Sequence, residues 1–303
     1  MRAPADAHPG ATALAEKGWW RSHQWLLLRR ASQAFFLALF LIGPLAGVWL
    51  VEGTLASSLT LGVLPLSDPY VILQALAAQH WPEMTALLGA AIVLVSYALL
   101  GGRVYCAWVC PINPVTDLAA WLHMRLGLPK GWQPKRSTRL WLLGTTLLVS
   151  AVTGTIAWEA VNPITLLHRG LLYGLGLAWL AVLAVFLFDL FVSRRGWCGH
   201  LCPVGAFYGL LGTKSPLRVS ASNRDACDDC MDCFAVCPEP QVITPALRGG
   251  PKGASPVILS GDCSNCGRCI DVCSKDVFRF AARFDHRVES VPQPMTDQTR
   301  EAA

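Results

Sequence analysis

Four stretches of this chain are long and apolar enough to cross a bilayer, which takes about 20 residues. They run from about Ala31 to Val51, Met84 to Gly102, Leu140 to Ala157 and Leu171 to Val192. Such stretches leave few options, because lipid offers no partner to backbone N–H and C=O groups; only helices or closed barrels satisfy them internally. The composition agrees. Of 303 residues, 53% are hydrophobic and only 15% charged, against about 25% charged in an average soluble domain. A purely soluble chain and a disordered one are both excluded. The net charge of +5 gives no reason to expect a nucleic-acid partner.

Lys and Arg favour the cytoplasmic side of a membrane helix. The N-terminal arm carries Arg2, Lys17, Arg21, Arg29 and Arg30, whereas residues 52–83 carry no basic residue. The next connection holds Arg103, Arg125, Lys130, Lys135, Arg136 and Arg139; the third-to-fourth loop holds only Arg169. Arg194 and Arg195 follow the last stretch. The pattern predicts four spans with both termini cytoplasmic. Trp near the span ends, such as Trp49, Trp81, Trp141 and Trp158, read as interfacial anchors. The Arg29-Arg30 pair reads as a topology signal rather than an export signal, because the following run lacks a clear cleavage site.

Two segments match each other. Arg103-Val-Tyr-Cys106-Ala-Trp-Val-Cys110-Pro111 and Arg195-Gly-Trp-Cys198-Gly-His-Leu-Cys202-Pro203 both read R-x-aromatic-C-x3-C-P. Each lies just past an even-numbered span, so the membrane part reads as a duplicated two-helix hairpin with parallel repeats. On a helix, C-x3-C places two sulfurs on one face. That arrangement suits metal binding, a redox dithiol or simple packing. A stable structural disulfide is disfavoured in the cytosol.

After about Lys214 the charge rises and the long apolar runs stop. Two cysteine runs follow: Cys227-x2-Cys230-x2-Cys233-x3-Cys237-Pro238, and Cys263-x2-Cys266-x2-Cys269-x3-Cys273-Ser274. This is the bacterial ferredoxin spacing, in which the fourth Cys ligates the other cluster. Cys227, Cys230, Cys233 and Cys273 are expected to hold one [4Fe–4S] cluster. Cys263, Cys266, Cys269 and Cys237 are expected to hold the second. Val257-Ile258-Leu259 and Val277–Phe280 read as strands, and 240–256 reads as a surface loop rich in Pro and Gly. The expected fold is an α-helical membrane protein of four transmembrane helices, followed by a small α+β 2[4Fe–4S] ferredoxin-like domain. Its divisions are an arm over 1–30, a transmembrane domain over 31–213, a ferredoxin-like domain over 214–290 and a disordered tail over 291–303.

Together, four spans, C-x3-C-P after the second and fourth, and two ferredoxin runs resemble the NapH-type ferredoxin-like membrane proteins. The resemblance covers about residues 25–285. The loop from Gly53 to Pro69 is similar to the first external loop of that family. The resemblance implies a quinol dehydrogenase component of the bacterial inner membrane. Its electrons would come from the membrane quinol pool. They would go to a periplasmic ferredoxin-type subunit (NapG-like) or a membrane tetrahaem cytochrome, and so to a periplasmic nitrate reductase. The alternative is a metallocentre assembly or maturation factor that supplies reducing equivalents for copper or Fe–S handling.

Quinol oxidation releases two protons with its two electrons, so a proton acceptor must stand near the electron acceptor. Candidates towards the cytoplasmic face are Asp189, Asp117, His123 and His200; on the external face they are Glu159, His168, His80 and Asp68. Asp189 lies about a turn from Arg194 and reads as its ion-pair partner. Cys106, Cys110, Cys198, Cys202 and His200 are the catalytic candidates. The clusters are expected in the cytoplasm and the acceptor outside, so electrons would have to cross the membrane part, with the C-x3-C-P pairs as dithiols or as ligands to a further centre.

Overall fold

The computed structural model describes residues 8–288 apart from 130, 175 and 177. Arg2, Lys130 and the predicted tail over 291–303 lie outside the described residues. The chain forms two compact units that interleave along the sequence. One takes in residues up to Trp25, Arg218–Ile258 and Gly267 onward; the other takes in Leu26–Leu217 and Leu259–Cys266. The linear division read from sequence differs in two places. The N-terminal segment belongs with the ferredoxin runs, and the first half of the second run belongs with the apolar unit.

Helix α1 (Ala11–Ala46) is the one helix among the described residues long and apolar enough, by length and composition, to cross a membrane. It starts earlier and stops sooner than the predicted first span, and Gly18 kinks it with a φ of 79°. The residues after it are not a plain loop. They form an antiparallel meander of β1 (Val51–Gly53), β2 (Ser57–Thr60) and β3 (Leu64–Ser67), with Val51 opposite Thr60 and Ser58 opposite Leu66. Helix α2 (Pro69–Ala77) follows. Asp68 caps it by accepting from the Tyr70 N–H at 2.9 Å, and Pro69 supplies a pre-set first turn.

Helix α3 (Met84–Leu100) matches the second predicted span. β3 packs against it, and a Cβ on Gly89 would come within 3.0 Å of the Pro65 carbonyl. A short α4 (Val104–Trp108) and then α5 (Ile112–Arg125) carry the chain to α6 (Thr138–Thr153), the third predicted span. The fourth predicted span is broken. Its start lies in α7 (Pro163–Tyr173), which Asn162 caps through the Ile164 N–H at 3.1 Å. Its body is α8 (Ala178–Leu187), prolonged by a π turn over Phe188–Val192. Gly174 and Gly176 stand in the gap, where glycine and its open backbone interrupt a helix at little cost. Helix α9 (Pro203–Leu211) closes the unit.

Side chains of α3, α6 and α8 fill an aromatic core with α2 and α9, in which Tyr105 and Tyr208 stack at 5.1 Å. Tyr70 reaches Thr146 on α6, and Gln74 accepts from the Trp158 N–H at 3.0 Å. The same helices expose Leu88, Val95, Leu99, Trp141, Leu148, Val152, Leu180 and Phe191 on their outer faces.

In the other unit, β4 (Leu217–Ser220) pairs with β5 (Arg279–Ala282). Val257 makes only a single bridge, to Ser220. Short helices α10 (Asp232–Val236) and α12 (Arg268–Val272) pack together. The predicted loop over 240–256 contains α11 (Ile243–Arg248). Ile243, Ala246 and Leu247 recur at helical spacing and are buried, while Pro245 sits in the first turn where a missing N–H costs little. The N-terminal segment docks here. The Gly10 N–H donates to Asp232 at 2.8 Å, the Trp25 N–H to Asp271 at 3.1 Å, and Trp25 meets Phe280 edge-on.

Gly102 has a φ of 62°, and a Cβ there would lie 2.2 Å from the Tyr208 carbonyl and 2.4 Å from Gly212. Gly127 has nearly the same φ but open space around it. Gly102→Ala should therefore cost well beyond the roughly 1–3 kcal/mol of left-handed strain that Gly127→Ala carries. Thermal unfolding of the two variants in detergent checks this; equal midpoints would refute the close approach of the α3 end to α9.

Candidate metal centres

The first cysteine run is shaped by two left-handed residues. Asp229 (φ 56°) and Met231 (φ 67°) wrap the backbone around Cys227 and Cys230, and α10 then presents Cys233. The second run repeats the device at the equivalent positions, with Asn265 (φ 46°) and Gly267 (φ 72°) before α12. Non-glycine residues seldom accept this conformation. Its use here turns successive N–H groups towards one concavity, the arrangement that favours an anionic group. The backbone N–H groups of Asp229, Asp232 and Phe234 bond the sulfurs of Cys227, Cys230 and Cys233.

Within this unit Cys273 lies near enough to Cys227 and Cys233 to raise their thiol pKa values. Burial raises them most, Cys230 to about 11 and Cys233 to about 12. Protonated thiols of this kind release their protons to a metal, so binding and deprotonation are coupled. Among the described residues no three His, Cys, Asp or Glu converge on a point where a single ion would sit. Thiolates at this spacing are the donors an iron–sulfur cube takes, each on a different iron. Cys237 and Cys269 lie in the unit of Cys227, and Cys263 and Cys266 in the other.

The two C-x3-C-P motifs keep their symmetry in space. In each, the N–H of the second cysteine bonds the carbonyl of the aromatic five residues back: Cys110 to Tyr105 at 3.0 Å and Cys202 to Trp197 at 2.9 Å. Such π-type turns cluster at functional sites. In each, a helix begins at the cysteine-proline pair: Pro111 is the cap of α5, and Cys202 the cap of α9. Cys110 Sγ accepts from the N–H groups of Ile112 and Asn113, and Cys202 Sγ from those of Val204 and Gly205. Proline at the first position has no N–H to lose, and the free N–H groups beyond it point at the thiol. Burial still dominates: all four thiols are pushed up, Cys202 to about 12.

The leading arginines cross between copies. Arg103 donates to the Cys198 carbonyl at 2.9 Å and bonds the Cys106 thiol, while Arg195 pairs with Asp117 at 3.0 Å. Asp117 also takes Arg30 and lies 3.6 Å from Arg29. A carboxylate among three guanidiniums is a poor proton acceptor, so Asp117 is an anchor. The topology pair Arg29-Arg30 has a packing role as well.

The remaining proton candidates scatter. Asp189 is fully buried and accepts from the Trp197 N–H at 2.8 Å, with Arg195 as the nearby cation, so the expected pairing with Arg194 gives way to a backbone bond. His123 is buried, with Nδ1 2.7 Å from the Leu190 carbonyl. His200 is buried rather than an exposed linker residue. His168 is buried edge-on against Phe40, which lowers its pKa. His80 is exposed and meets the Gly154 carbonyl, and Glu159 accepts from Asn162. Asp68 is brought to Tyr208, whose hydroxyl lies 3.4 Å away. Arg103 and Arg139 were read from sequence only as motif and topology residues, and Asn162 was missed. Asp68-Pro69 and Asn162-Pro163, a matched cap-and-proline pair, carried the signal for Asn162.

A family model described as "4Fe-4S binding domain" matches residues 83–129 and 175–220, one match per C-x3-C-P copy. A model described as "4Fe-4S dicluster domain" matches residues 226–277. The chain is 58% identical over 272 residues to the methylamine utilization ferredoxin-type protein MauN of Paracoccus denitrificans, covering 89% of this chain and 95% of that one. It is 54% identical to MauN of Methylorubrum extorquens over 93% of this chain and 98% of that one. It is 51% identical to the ferredoxin-type protein NapH of Escherichia coli over 93% of this chain and 97% of that one. No solved structure matches the chain.

Burial raises Asp68 to about 6. The folded state then holds the proton more tightly than the unfolded chain, so stability falls as pH rises from about 4 through about 6 and stays lower above it. Asn keeps the cap, as Asn162 does. Asp68→Asn should match wild type below pH 4 and gain up to about 3 kcal/mol above pH 6. Unfolding midpoints across that range, with the protonated-carboxyl infrared band titrating near 6 only in wild type, measure it; parallel pH curves would refute it.

Proposed function

Because the chain belongs to the NapH and MauN family of ferredoxin-type iron–sulfur electron-transfer proteins, we propose that it is a multi-pass membrane electron carrier. It takes electrons from quinol and passes them to a partner of a periplasmic redox enzyme. The outward apolar faces of α3, α6 and α8 carry the membrane reading, since patches of this extent on a soluble protein are a liability and in lipid are the expected surface. The N-terminal segment shares one compact unit with the first ferredoxin run and the end of the second, and the chain leaves that unit at Trp25 and re-enters it at Arg218. That supports an even number of crossings with both ends cytoplasmic. Broken helices are tolerated at membrane depth where neighbouring protein covers them, and the half-helices α2 and α7 bury or half-bury most of their side chains. By this reading α3, α6 and α8 are the second, third and fourth spans.

Two [4Fe–4S] clusters, on Cys227, Cys230, Cys233 and Cys273 and on Cys263, Cys266, Cys269 and Cys237, supply one-electron redox capacity. Quinol gives up two electrons and two protons, so a pair of one-electron acceptors suits it. This chain's residues hold those clusters in N–H-lined loops and keep water from the apolar unit. NapH and MauN serve systems of different name, yet both match nearly the whole chain. The shared role is therefore the carrier, and the acceptor is the variable part: a nitrate reductase through a NapG-like or tetrahaem cytochrome partner, or a methylamine-utilization system. The maturation-factor reading draws on the same buried thiols as metal-handling groups.

Redox-titrated EPR of the purified full-length protein decides between them. A short-chain quinol should reduce the ferredoxin clusters on the timescale of turnover, and Cys233→Ala should remove one of the two signals. Clusters that dithionite reduces but quinol leaves oxidised would refute the carrier reading and favour maturation.

A further inference from the structure

We propose that Cys106, Cys110, Cys198 and Cys202 together ligate one further iron–sulfur cluster, shared between the two copies of the repeat. Either copy alone contributes only two sulfurs, which cannot complete a cluster. The structure brings both pairs to a single small, largely enclosed cavity, lined also by Trp158 and Asn162.

The chemistry of the walls suits such a group. Soft thiolates select iron–sulfur clusters, zinc or copper(I). Each sulfur has a donor of its own. Cys110 and Cys202 face the first free N–H groups of α5 and α9, Cys106 faces Arg103, and the Thr116 hydroxyl lies 3.8 Å from Cys198 Sγ. Hydrogen bonds to the sulfurs and nearby positive charge set the potential of such centres. Arg103 and Arg139, both buried, supply that charge beside Cys106.

The inference rests on the iron–sulfur reading of the chain and is tested without quinol. Iron and acid-labile sulfide are measured on full-length protein purified without oxygen, for wild type and for a Cys106→Ala, Cys198→Ala double variant. The variant should lose about four irons per chain, or about two for a [2Fe–2S] cluster, with an equal loss of sulfide. Its ferredoxin EPR signals should persist, which also certifies that it folds. Alkylation gives a second readout on wild type alone. All four cysteines should resist iodoacetamide until iron is chelated, alongside the ferredoxin cysteines as internal standard. Unchanged iron in the variant, zinc or copper in place of iron, or free alkylation of the quartet while the ferredoxin cysteines stay protected would each overturn the proposal. Failure of quinol reduction with this iron present would refute the donor and leave the cluster standing.

Discussion

The apolar unit is pinned by two arginines that each reach into the other half of the duplication. Arg103, ahead of the first cysteine pair, bonds the Cys198 carbonyl of the second. Arg195, ahead of the second pair, bonds Asp117 behind the first. A buried guanidinium is tolerated only where its planar fork finds fixed acceptors, and these acceptors exist only when both copies are folded against each other. The exchange makes two hairpins into one object. It also explains why the motif begins with arginine at all: the residue does not serve its own cysteines alone but fixes the distance between the two pairs.

The same economy appears in the C-P dipeptides. Cysteine before proline puts a sulfur at the start of a helix whose first N–H is missing and whose next two point back at it. The thiol thus gains donors from backbone rather than from side chains that would themselves need burying. The half-helices α2 and α7 use the same device with oxygen, Asp68-Pro69 and Asn162-Pro163. The aspartate copy has a price that the asparagine copy avoids, because burial opposes its charge. The duplicated unit is therefore longer than the cysteine motif suggests: it starts at a capped half-helix and ends at a thiol-started helix.

The cysteine spacings were legible in sequence because ligand geometry demands residue types at fixed offsets. The left-handed turns inside the runs were less so, since three of the four positions are not glycine: Asp229, Met231 and Asn265 carry a strain that only the fold explains. Apolar runs were legible as apolar, but their limits were not. Hydropathy does not register the helix break at Gly174 and Gly176, and it counts the strand at Val51 as part of a span. Helix α11 was hidden by its prolines, although Ile243, Ala246 and Leu247 were in register. The docking of the first 25 residues rests on bonds such as Gly10 to Asp232, between positions more than 200 apart, which no local pattern records.

The boundary between the two compact units falls inside the second ferredoxin run, after Cys266. What holds its first half to the apolar unit is specific. The Asp262 carbonyl accepts from Arg103 at 3.1 Å, and its carboxylate pairs with Arg139 at 2.5 Å. The Asn265 side chain donates to the Leu100 and Leu217 carbonyls, and its own carbonyl accepts from the Trp108 indole at 3.1 Å. Arg103 and Trp108 belong to the first C-x3-C-P copy. The residues that fix the cysteine quartet are thus the residues that grip Cys263 and Cys266, so the two cannot shift independently. Electron transfer between centres falls steeply with distance, and a carrier gains most from rigidity at the step between them. A hydrogen-bonded clamp from the quartet's arginine to the loop that presents Cys263 supplies that rigidity. A thiol-handling maturation factor, which must open its sulfurs to an incoming metal, would gain nothing from such a clamp.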